Sequence, residues 1–382
     1  MVIKLSLKLM NAIFAVSVRT LMVTMLVTMS TTLCLATTVS DSPPRPHVVF
    51  LNPGEPVDRG KGLFWPMTAR LMAVAAKTFG MQLEVLYAER DHLLMLRQAE
   101  SVAQRADIPD YVVMVNEKQA ALKMLQMFEG TPTKVLLIHN DLTLEQRREI
   151  GNEREQMHHW IGTAKTDEER STYRMMEELY RQLGTPEPQV IGITGARGTP
   201  VSLERAQGVS DYMAKNGRGR QLQLAFSNWG TPDAESKANV LLARYPQTNI
   251  IWAANYSMAL GALRAVKEHG APVLVGSTAA APKAVPSMAE QGMAVSLGSH
   301  FFIGAWAMVL LHDYHHGLDF AAHGGARQKL DHLYVITPEN ASRYYQVVYD
   351  QTDALDFSVF SKYLHPSPGR YTFSLAPLMR QK

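Results

Sequence analysis

The sequence IWAANYSMALGALRAV, at residues 251–266, contains the signals that decide the fold of this 382-residue chain. An apolar run ends at Ala254, and such a short run predicts a buried β-strand. Asn255 follows, and asparagine favours the N-cap of a helix. Small and apolar residues then recur at helical spacing from Met258 onward. The stretch is therefore predicted to be one strand–loop–helix unit of an α/β fold.

The same alternation of short apolar runs and longer amphipathic segments extends along the chain. In the first half the runs lie at 47–51, 83–87, 111–115 and 134–138, with amphipathic segments at 64–78, 92–105 and 119–128. After Trp160 the runs lie at 189–193, 221–225, 250–254, 273–275 and 294–297, with helices predicted from Leu203, Pro232, Met258 and Pro282. This pattern predicts two doubly wound, Rossmann-like parallel-sheet lobes, in which ligands bind at the carboxyl ends of the strands.

Two segments depart from this rhythm. Residues 142–157 mix acidic and basic side chains, which is typical of a solvated surface insertion. A further strand is predicted at 333–336, and the tail at 340–382 contains several tyrosines. Aromatic residues are scarce in disordered segments, so we expect the tail to pack on the body of the protein.

The composition is that of a globular protein without a strong electrostatic preference. The chain is 46% hydrophobic and 19% charged, with a formal net charge of +3. Lys4, Lys8 and Arg19 account for that excess, because the first 36 residues contain no acidic residue. Without this segment the basic and acidic residues balance, which disfavours nucleic acid or anionic lipid as a partner.

The first 36 residues have the layout of a secretory signal peptide. Scattered basic residues precede an apolar run that ends near Cys34, and polar residues follow. The alternative is a retained membrane anchor, which the threonines and serine within the run disfavour. Lipidation at Cys34 is disfavoured because Leu33, and not a small residue, precedes it. Cleavage would place the protein in the periplasm without any cysteine, which excludes disulfide and thiol chemistry.

Two motifs resemble those of a known family. The segment 251–266 places an asparagine, two variable residues and Met-Ala-Leu-Gly-Ala after a strand, and Thr199, Glu204, Arg205 and Gly208 fit the family's loop and helix. On these residues the chain resembles the type I periplasmic solute-binding proteins, in the sugar-binding branch that includes the ribose, galactose and autoinducer-2 receptors. The resemblance covers about residues 46–338. A family of regulators shares the architecture but begins with a helix-turn-helix, whereas this chain begins with an export segment.

The resemblance implies the following domain organisation. Two lobes are joined by a three-strand hinge, and the ligand cleft lies between them. Residues 1–36 would be the signal peptide and 37–46 a linker; the N-terminal lobe would comprise 47–162 and 300–336, and the C-terminal lobe with the tail 163–299 and 337–382. The hinge passages are expected near Gly162-Thr163, near Ser299-His300 and just before Thr337.

The resemblance also implies a set of ligand-binding residues. Phe64 and Trp65 match an aromatic pair of the first lobe, and Trp229 matches the aromatic wall of the second; such rings stack on sugar faces. Arg205 matches a hydroxyl-binding arginine, and Asn255 lies at the mouth of the cleft. Alternative interpretations are that Phe64 or Trp65 begins the core face of a helix, that Arg205 is a surface charge, and that Asn255 is only an N-cap.

Other positions of this set depart from the family pattern. His139-Asn140 replaces an Asp-Arg pair, Ser277-Thr278 replaces an aromatic residue followed by Asp, and Ser299, next to His300, occupies the place of a hinge amide. The loss of two carboxylates and an arginine predicts a less charged cleft that does not reproduce the usual grip on aldoses. A histidine at a strand end can titrate near neutral pH, but more often it only forms hydrogen bonds.

Enzymatic and metal chemistry have little support in the sequence. Residues 194–198 hint at a phosphate loop but lack the required glycine spacing and lysine. His312, His315 and His316 have a spacing that can bind a metal on one helical face, but they are better interpreted as a polar helix end. No nucleophile elbow or zinc-protease motif is present. The prediction is a non-enzymatic protein without cofactor or metal.

The predicted function is therefore solute binding. The protein is expected to be a monomer that closes around a small polar, sugar-like ligand and delivers it to an ABC transporter permease. The alternative is a receptor subunit that signals to a membrane sensor kinase or chemoreceptor. No nucleic-acid partner is expected.

Overall fold

The computed structural model describes residues 45–58, 63–184 and 186–380. The predicted signal peptide and most of the linker lie outside the described residues. The strands are β1 (His47–Asn52), β2 (Gln82–Tyr87), β3 (Tyr111–Met114), β4 (Lys134–Ile138), β5 (Trp160–Thr166), β6 (Gln189–Thr194), β7 (Arg220–Phe226), β8 (Ile250–Ala253), β9 (Leu274–Ser277), β10 (Met293–Gly298), β11 (Arg327–Leu330) and β12 (Tyr334–Ile336). The α-helices are α1 (Phe64–Thr78), α2 (His92–Ala103), α3 (Ala121–Met127), α4 (Leu144–Ile150), α5 (Glu168–Leu183), α6 (Pro200–Asn216), α7 (Thr231–Arg244), α8 (Tyr256–His269), α9 (Ile303–His315), α10 (Ala341–Tyr345) and α11 (Ala376–Met379).

The strands form two six-stranded sheets with the same winding. The first has the order β11-β5-β4-β3-β1-β2 and is parallel throughout. The second has the order β12-β10-β9-β8-β6-β7, in which only β12 runs antiparallel to its neighbour. The central strands are apolar runs because helices cover both of their faces. The predicted fold class, two doubly wound α/β lobes, is confirmed.

Within the described residues the chain passes between the sheets at three places. It leaves the first sheet after Thr166 and enters α5, returns after Gly298 into α9, and crosses again between Leu330 and Tyr334. The second passage coincides with Ser299-His300. The first lies beyond Gly162-Thr163, because β5 continues and pairs with β11 up to Thr166. The third precedes β12, which pairs within the second sheet up to Ile336.

The C-terminal tail packs on the helices of the first sheet. The buried Trp306 of α9 stacks on Phe373 with 4.8 Å between ring centroids and also contacts Phe357 and Phe360. Buried Asp313 accepts hydrogen bonds from the Tyr371 hydroxyl and the Lys362 amide, each at 2.7 Å. The expected division grouped residues 337–382 with the second lobe. In the structure, the aromatic side chains of the tail cover the apolar face of α9, which lies against the first sheet.

One predicted helix is absent among the described residues. The segment from Pro282 forms only a short 3-10 turn at Pro282–Ala284. Pro286 follows closely, and a proline inside a helix removes a backbone hydrogen bond and clashes with the preceding turn. In the part of the chain that the structure describes, no helix is both long and apolar enough to span a membrane.

Candidate ligand-binding site

A cavity of about 600 Å³ lies between the two lobes at the carboxyl ends of the strands. Six of the ten predicted ligand-binding residues line it, namely Phe64, Trp65, His139, Asn140, Arg205 and Ser299. The other lining residues are Leu63, Arg90, Glu117, Ala279, Ala280, Pro282, Gly298, His300, Phe301 and Tyr344. The lining therefore combines apolar and aromatic surface with a few polar groups, as small-molecule sites do.

An aromatic cluster forms the first-lobe wall of the cavity. Phe64 and Trp65 meet edge to face with 4.7 Å between ring centroids, and His139 lies 4.9 and 5.4 Å from them. The loop after β1 fixes this cluster, because Asn52 donates a hydrogen bond to the Trp65 carbonyl at 3.3 Å. A Cβ at Gly54 would lie 2.3 Å from the Trp65 Cβ. Only glycine at position 54 therefore leaves room for Trp65.

Arg205 reaches the cavity from the second lobe and is held by three hydrogen bonds. Its Nε and Nη2 donate to the two carboxylate oxygens of Glu168 at 2.8 and 3.1 Å, and its Nη1 donates to the Ala254 carbonyl at 2.5 Å. Both members of the ion pair are buried. Burial alone would raise the pKa of Glu168, but the adjacent guanidinium outweighs it and lowers the pKa to about 2. The carboxylate is thus charged at neutral pH.

Three histidines near this ion pair are kept neutral by burial. Burial lowers the pKa of His139 and of His300 to about 4, and that of His332 to about 3. His332 Nε2 and the Thr166 hydroxyl are 3.0 Å apart, which ties the first passage between the lobes to the third. The buried Nε2 of His300 has no hydrogen-bond partner among the described residues.

Four other polar side chains of the lining form two pairs. Arg90 and Glu117 form an ion pair at 3.0 Å at the first-lobe edge of the cavity. Ser299 donates a hydrogen bond to the Tyr344 hydroxyl at 3.3 Å. Tyr344 belongs to the tail, so the tail contributes directly to the cavity.

The other four predicted residues, Trp229, Asn255, Ser277 and Thr278, are not among the residues that line this cavity. Asn255 caps α8 by accepting a hydrogen bond from the Met258 amide at 2.7 Å, and it donates one to the Trp229 carbonyl at 3.1 Å. Thr278 donates a hydrogen bond to the Ala254 carbonyl that also accepts from Arg205. They organise the loops at the carboxyl end of the second sheet.

Ser277 and Trp229 occupy the same region of the second lobe. The Ser277 hydroxyl donates a hydrogen bond to the Ala279 carbonyl at 2.7 Å, which fixes a residue of the cavity lining. Trp229 is half-buried with a positive φ of 71°, and its ring covers Gly195, where a Cβ would lie 2.0 Å from the ring. Its role in ligand binding remains a prediction.

Comparison with known proteins identifies the family. A family model described as a periplasmic binding protein domain matches residues 57–318, which is more than half of the chain. The chain belongs to this family. A periplasmic sugar-binding protein from Pseudomonas fluorescens, known from a crystal structure, shares 33% sequence identity with this chain. The match covers 87% of this chain and 99% of the Pseudomonas chain, with a TM-score of 0.68.

Two more distant relatives are described with different roles. A periplasmic solute-binding protein of an ABC transporter from Actinobacillus succinogenes 130z, solved with bound D-allose, shares the fold at 19% identity and a TM-score of 0.62. The match covers 78% of this chain and 100% of the Actinobacillus chain. The HTH-type transcriptional regulator AscG of Escherichia coli (strain K12) is 26% identical over 132 residues, which are 32% of this chain and 38% of the regulator. The chain therefore spans well under half the length of that curated relative.

Several residues of the site in this periplasmic binding protein were not predicted from the sequence. Glu168 lies in the acidic run Asp167-Glu168-Glu169 at the start of α5, and acidic residues are common there because they favour a helix N-terminus. Phe301 and Tyr344 come from the second passage between the lobes and from the tail. Arg205, which was predicted from the sequence, is a signal that could have led to Glu168, because a buried arginine requires a carboxylate partner.

The histidines at the C-terminal end of α9, including its C-cap His316, are engaged with neighbouring side chains and backbone. His312 stacks on Phe79 with 4.3 Å between ring centroids and lies 3.0 Å from Asp313. His315 Nδ1 is 3.1 Å from the Tyr111 hydroxyl, and His316 Nδ1 is 2.8 Å from the His312 carbonyl. Among the described residues no group of histidine, cysteine, aspartate or glutamate side chains is arranged to hold a metal ion.

Proposed function

We propose that this periplasmic binding protein takes a small polar, sugar-like ligand into the cavity between its lobes and delivers it to an ABC transporter permease. The observation that carries the proposal is the composition of the cavity. Phe64, Trp65 and His139 offer aromatic faces, and Arg205 offers hydrogen-bond donors from the other lobe. Aromatic faces stack on the nonpolar faces of a sugar ring, while guanidinium donors bind its hydroxyls.

The size of the cavity and the relatives support a sugar-like ligand. A volume of about 600 Å³ lies within the range of small-molecule sites. The Pseudomonas fluorescens relative is described as sugar-binding, and the Actinobacillus succinogenes protein was solved with D-allose. The departures at His139-Asn140 and Ser277-Thr278 favour a ligand that differs from the common aldoses.

Delivery to a transporter requires a shape change that a membrane partner can recognise. A ligand that contacts both lobes stabilises the form in which they are close together. The three passages between the sheets, together with the return of the tail to α9, are the places where such a movement is absorbed. Export through the predicted signal peptide at 1–36, followed by its removal, would place the protein where a permease can be reached.

The proposal is tested first by a thermal-shift screen of the purified protein against monosaccharides, polyols, nucleosides and furanosyl signalling molecules. A ligand that binds only the folded state raises the melting temperature by mass action. We expect one chemical class to raise it clearly. Absence of a shift across the whole panel would contradict a sugar-like ligand.

Calorimetric titration of the best ligand then tests the cavity. Trp65→Ala should weaken binding by about tenfold or more, since stacking on an aromatic ring contributes about 0.5–1.5 kcal/mol beyond the area that it buries. The matched control is Tyr363→Ala, which removes a tail aromatic that is 45% exposed and does not line the cavity. Equal affinity of the two variants would refute the assignment of the cavity.

Delivery is tested by reconstituting the protein together with its permease and measuring whether the ligand-bound protein stimulates the ATPase activity of the transporter. Failure to stimulate this activity would favour a sensing role.

A further inference from the structure

The ion pair between Glu168 and Arg205 occupies an unusual position. Glu168 is the first residue of α5, directly after the chain leaves the first sheet, and Arg205 lines the cavity. Glu168 is 6% exposed and Arg205 is 9% exposed. At this burial a charge without a partner would be strongly unfavourable, so each group depends on the other.

The hydrogen bonds of Arg205 leave part of its donor capacity unused. A guanidinium has five N–H donors in a fixed plane. Glu168 accepts from Nε and Nη2, and the Ala254 carbonyl accepts from Nη1. One N–H on each terminal nitrogen therefore has no partner among the described residues. Two such donors on neighbouring nitrogens match two adjacent hydroxyl oxygens of a ligand.

The charges of the cavity cancel within the part of its lining that the structure describes. Arg90 is paired with Glu117, and Arg205 is paired with Glu168. His139 and His300 are uncharged at neutral pH because burial lowers the pKa of each to about 4. A carboxylate or phosphate in this cavity would lose its hydration without meeting an uncompensated cation.

We propose that Glu168 is a positioning residue that determines the charge specificity of the site. It holds Arg205 so that two donors remain for a vicinal diol, and it cancels the guanidinium charge so that the cavity accepts uncharged polyols and rejects their acidic counterparts. This inference rests on the proposed function, because it concerns the same cavity. If Glu168 had only a structural role, it would join α5 to α6, and its replacement would not change which ligands bind.

The experiment compares Glu168→Gln with Glu169→Gln. The first keeps the shape of the side chain but leaves Arg205 as an uncompensated cation. The second makes the same chemical change at the next residue, whose carboxylate accepts a hydrogen bond from Lys329 at 2.6 Å; the ion pair of Arg205 is with Glu168. The ligands are the neutral monosaccharide selected by the screen and the uronic acid of the same configuration, each titrated calorimetrically.

The expected result is a change in preference and not a general loss of binding. Glu168→Gln should lose about fivefold in affinity for the neutral sugar, because a carboxylate positions a guanidinium better than an amide does. Its affinity for the uronic acid should rise, so that the ratio of the two affinities changes by more than tenfold. Glu169→Gln should keep the wild-type ratio. An unchanged ratio in Glu168→Gln would overturn the proposal.

A second variant covers the case in which Glu168→Gln folds poorly. The double variant with Glu168→Gln and Arg205→Gln contains neither charge. It should therefore fold, and it should again reject the uronic acid. Acceptance of the uronic acid by this double variant would also overturn the proposal.

A sugar-independent probe separates failure of this proposal from failure of the proposed function. Sodium sulfate stabilises most proteins by exclusion from their surfaces, so the measured quantity is the difference between variants. We expect sulfate to raise the melting temperature of Glu168→Gln more than that of Glu169→Gln, whichever sugar binds. If no sugar binds but this difference appears, Glu168 does cancel the charge of Arg205 and the ligand is not a sugar. If a sugar binds and the difference is absent, Glu168 does not determine the charge specificity of the cavity.

Discussion

Acidification should destabilise the protein well before its carboxylates are protonated, and His332 allows the size of this effect to be worked out. Its side chain is 1% exposed, and burial lowers its pKa from 6.5 to about 3. Between these two values the unfolded chain binds a proton that the folded protein does not bind. The free energy of unfolding therefore falls as the pH falls from about 6.5 towards 3.

The linkage relation gives the magnitude for this one residue. At pH 5 the unfolded histidine is almost fully protonated and the folded one is neutral, which costs about 2 kcal/mol of stability relative to pH 8. His139 and His300 act in the same direction, because burial lowers the pKa of each to about 4. The Glu168 carboxylate, with a pKa of about 2, adds a further loss that begins only near pH 4.5.

The assay is urea unfolding of the purified protein at pH 8 and pH 5, followed by tryptophan fluorescence. His332→Gln removes the titrating group while its amide can still bond the Thr166 hydroxyl. It should reduce the difference in unfolding free energy between the two pH values by about 2 kcal/mol. The exposed His269 provides the control, and His269→Gln should leave the difference close to that of the wild type. If His332→Gln and the wild type lost equal stability on acidification, the buried, neutral state of His332 would be refuted.

Two other predictions concern the second lobe and the tail. Trp229→Ala should weaken binding of the screened ligand by about tenfold, through loss of an aromatic face at the carboxyl end of the second sheet; unchanged affinity by calorimetry would assign Trp229 to packing over Gly195 alone. Asp313→Ala should lower the melting temperature by several degrees, since it leaves the Tyr371 hydroxyl and the Lys362 amide without their acceptor, at about 1–3 kcal/mol for each buried group. A melting temperature equal to that of the wild type in a thermal scan would show that Asp313 does not anchor the tail.

The sequence was sufficient to predict the two sheets because their central strands are buried on both faces. A strand such as Val48–Leu51 is then a continuous apolar run, which differs from the amphipathic helices beside it. The prediction failed where proline chemistry overrode helical spacing, as at Pro282 and Pro286. It also placed the passage after β5 too early, since the sequence does not indicate how far β5 pairs with β11.

The site was predicted in part, for a different physical reason. Loops that follow parallel strands meet at one edge of a sheet, so the sequence indicates which loops surround a ligand. Which side chains enter the cavity depends on loop conformation. His139, Trp229 and Ser299 all have a positive φ, which is uncommon for residues other than glycine. Glu168 was not predicted because its partner Arg205 lies 37 residues away in the sequence.

We propose that a polar, sugar-like ligand binds between the aromatic cluster of the first lobe and Arg205 of the second. A crystal structure of the protein with the ligand selected by the thermal-shift screen tests it most directly. We expect ligand density in contact with the Phe64 or Trp65 ring and within hydrogen-bond distance of the Arg205 guanidinium, with Glu168 still paired to Arg205. Ligand density elsewhere on the protein, or a ligand in the cavity that makes no contact with Arg205, would contradict it.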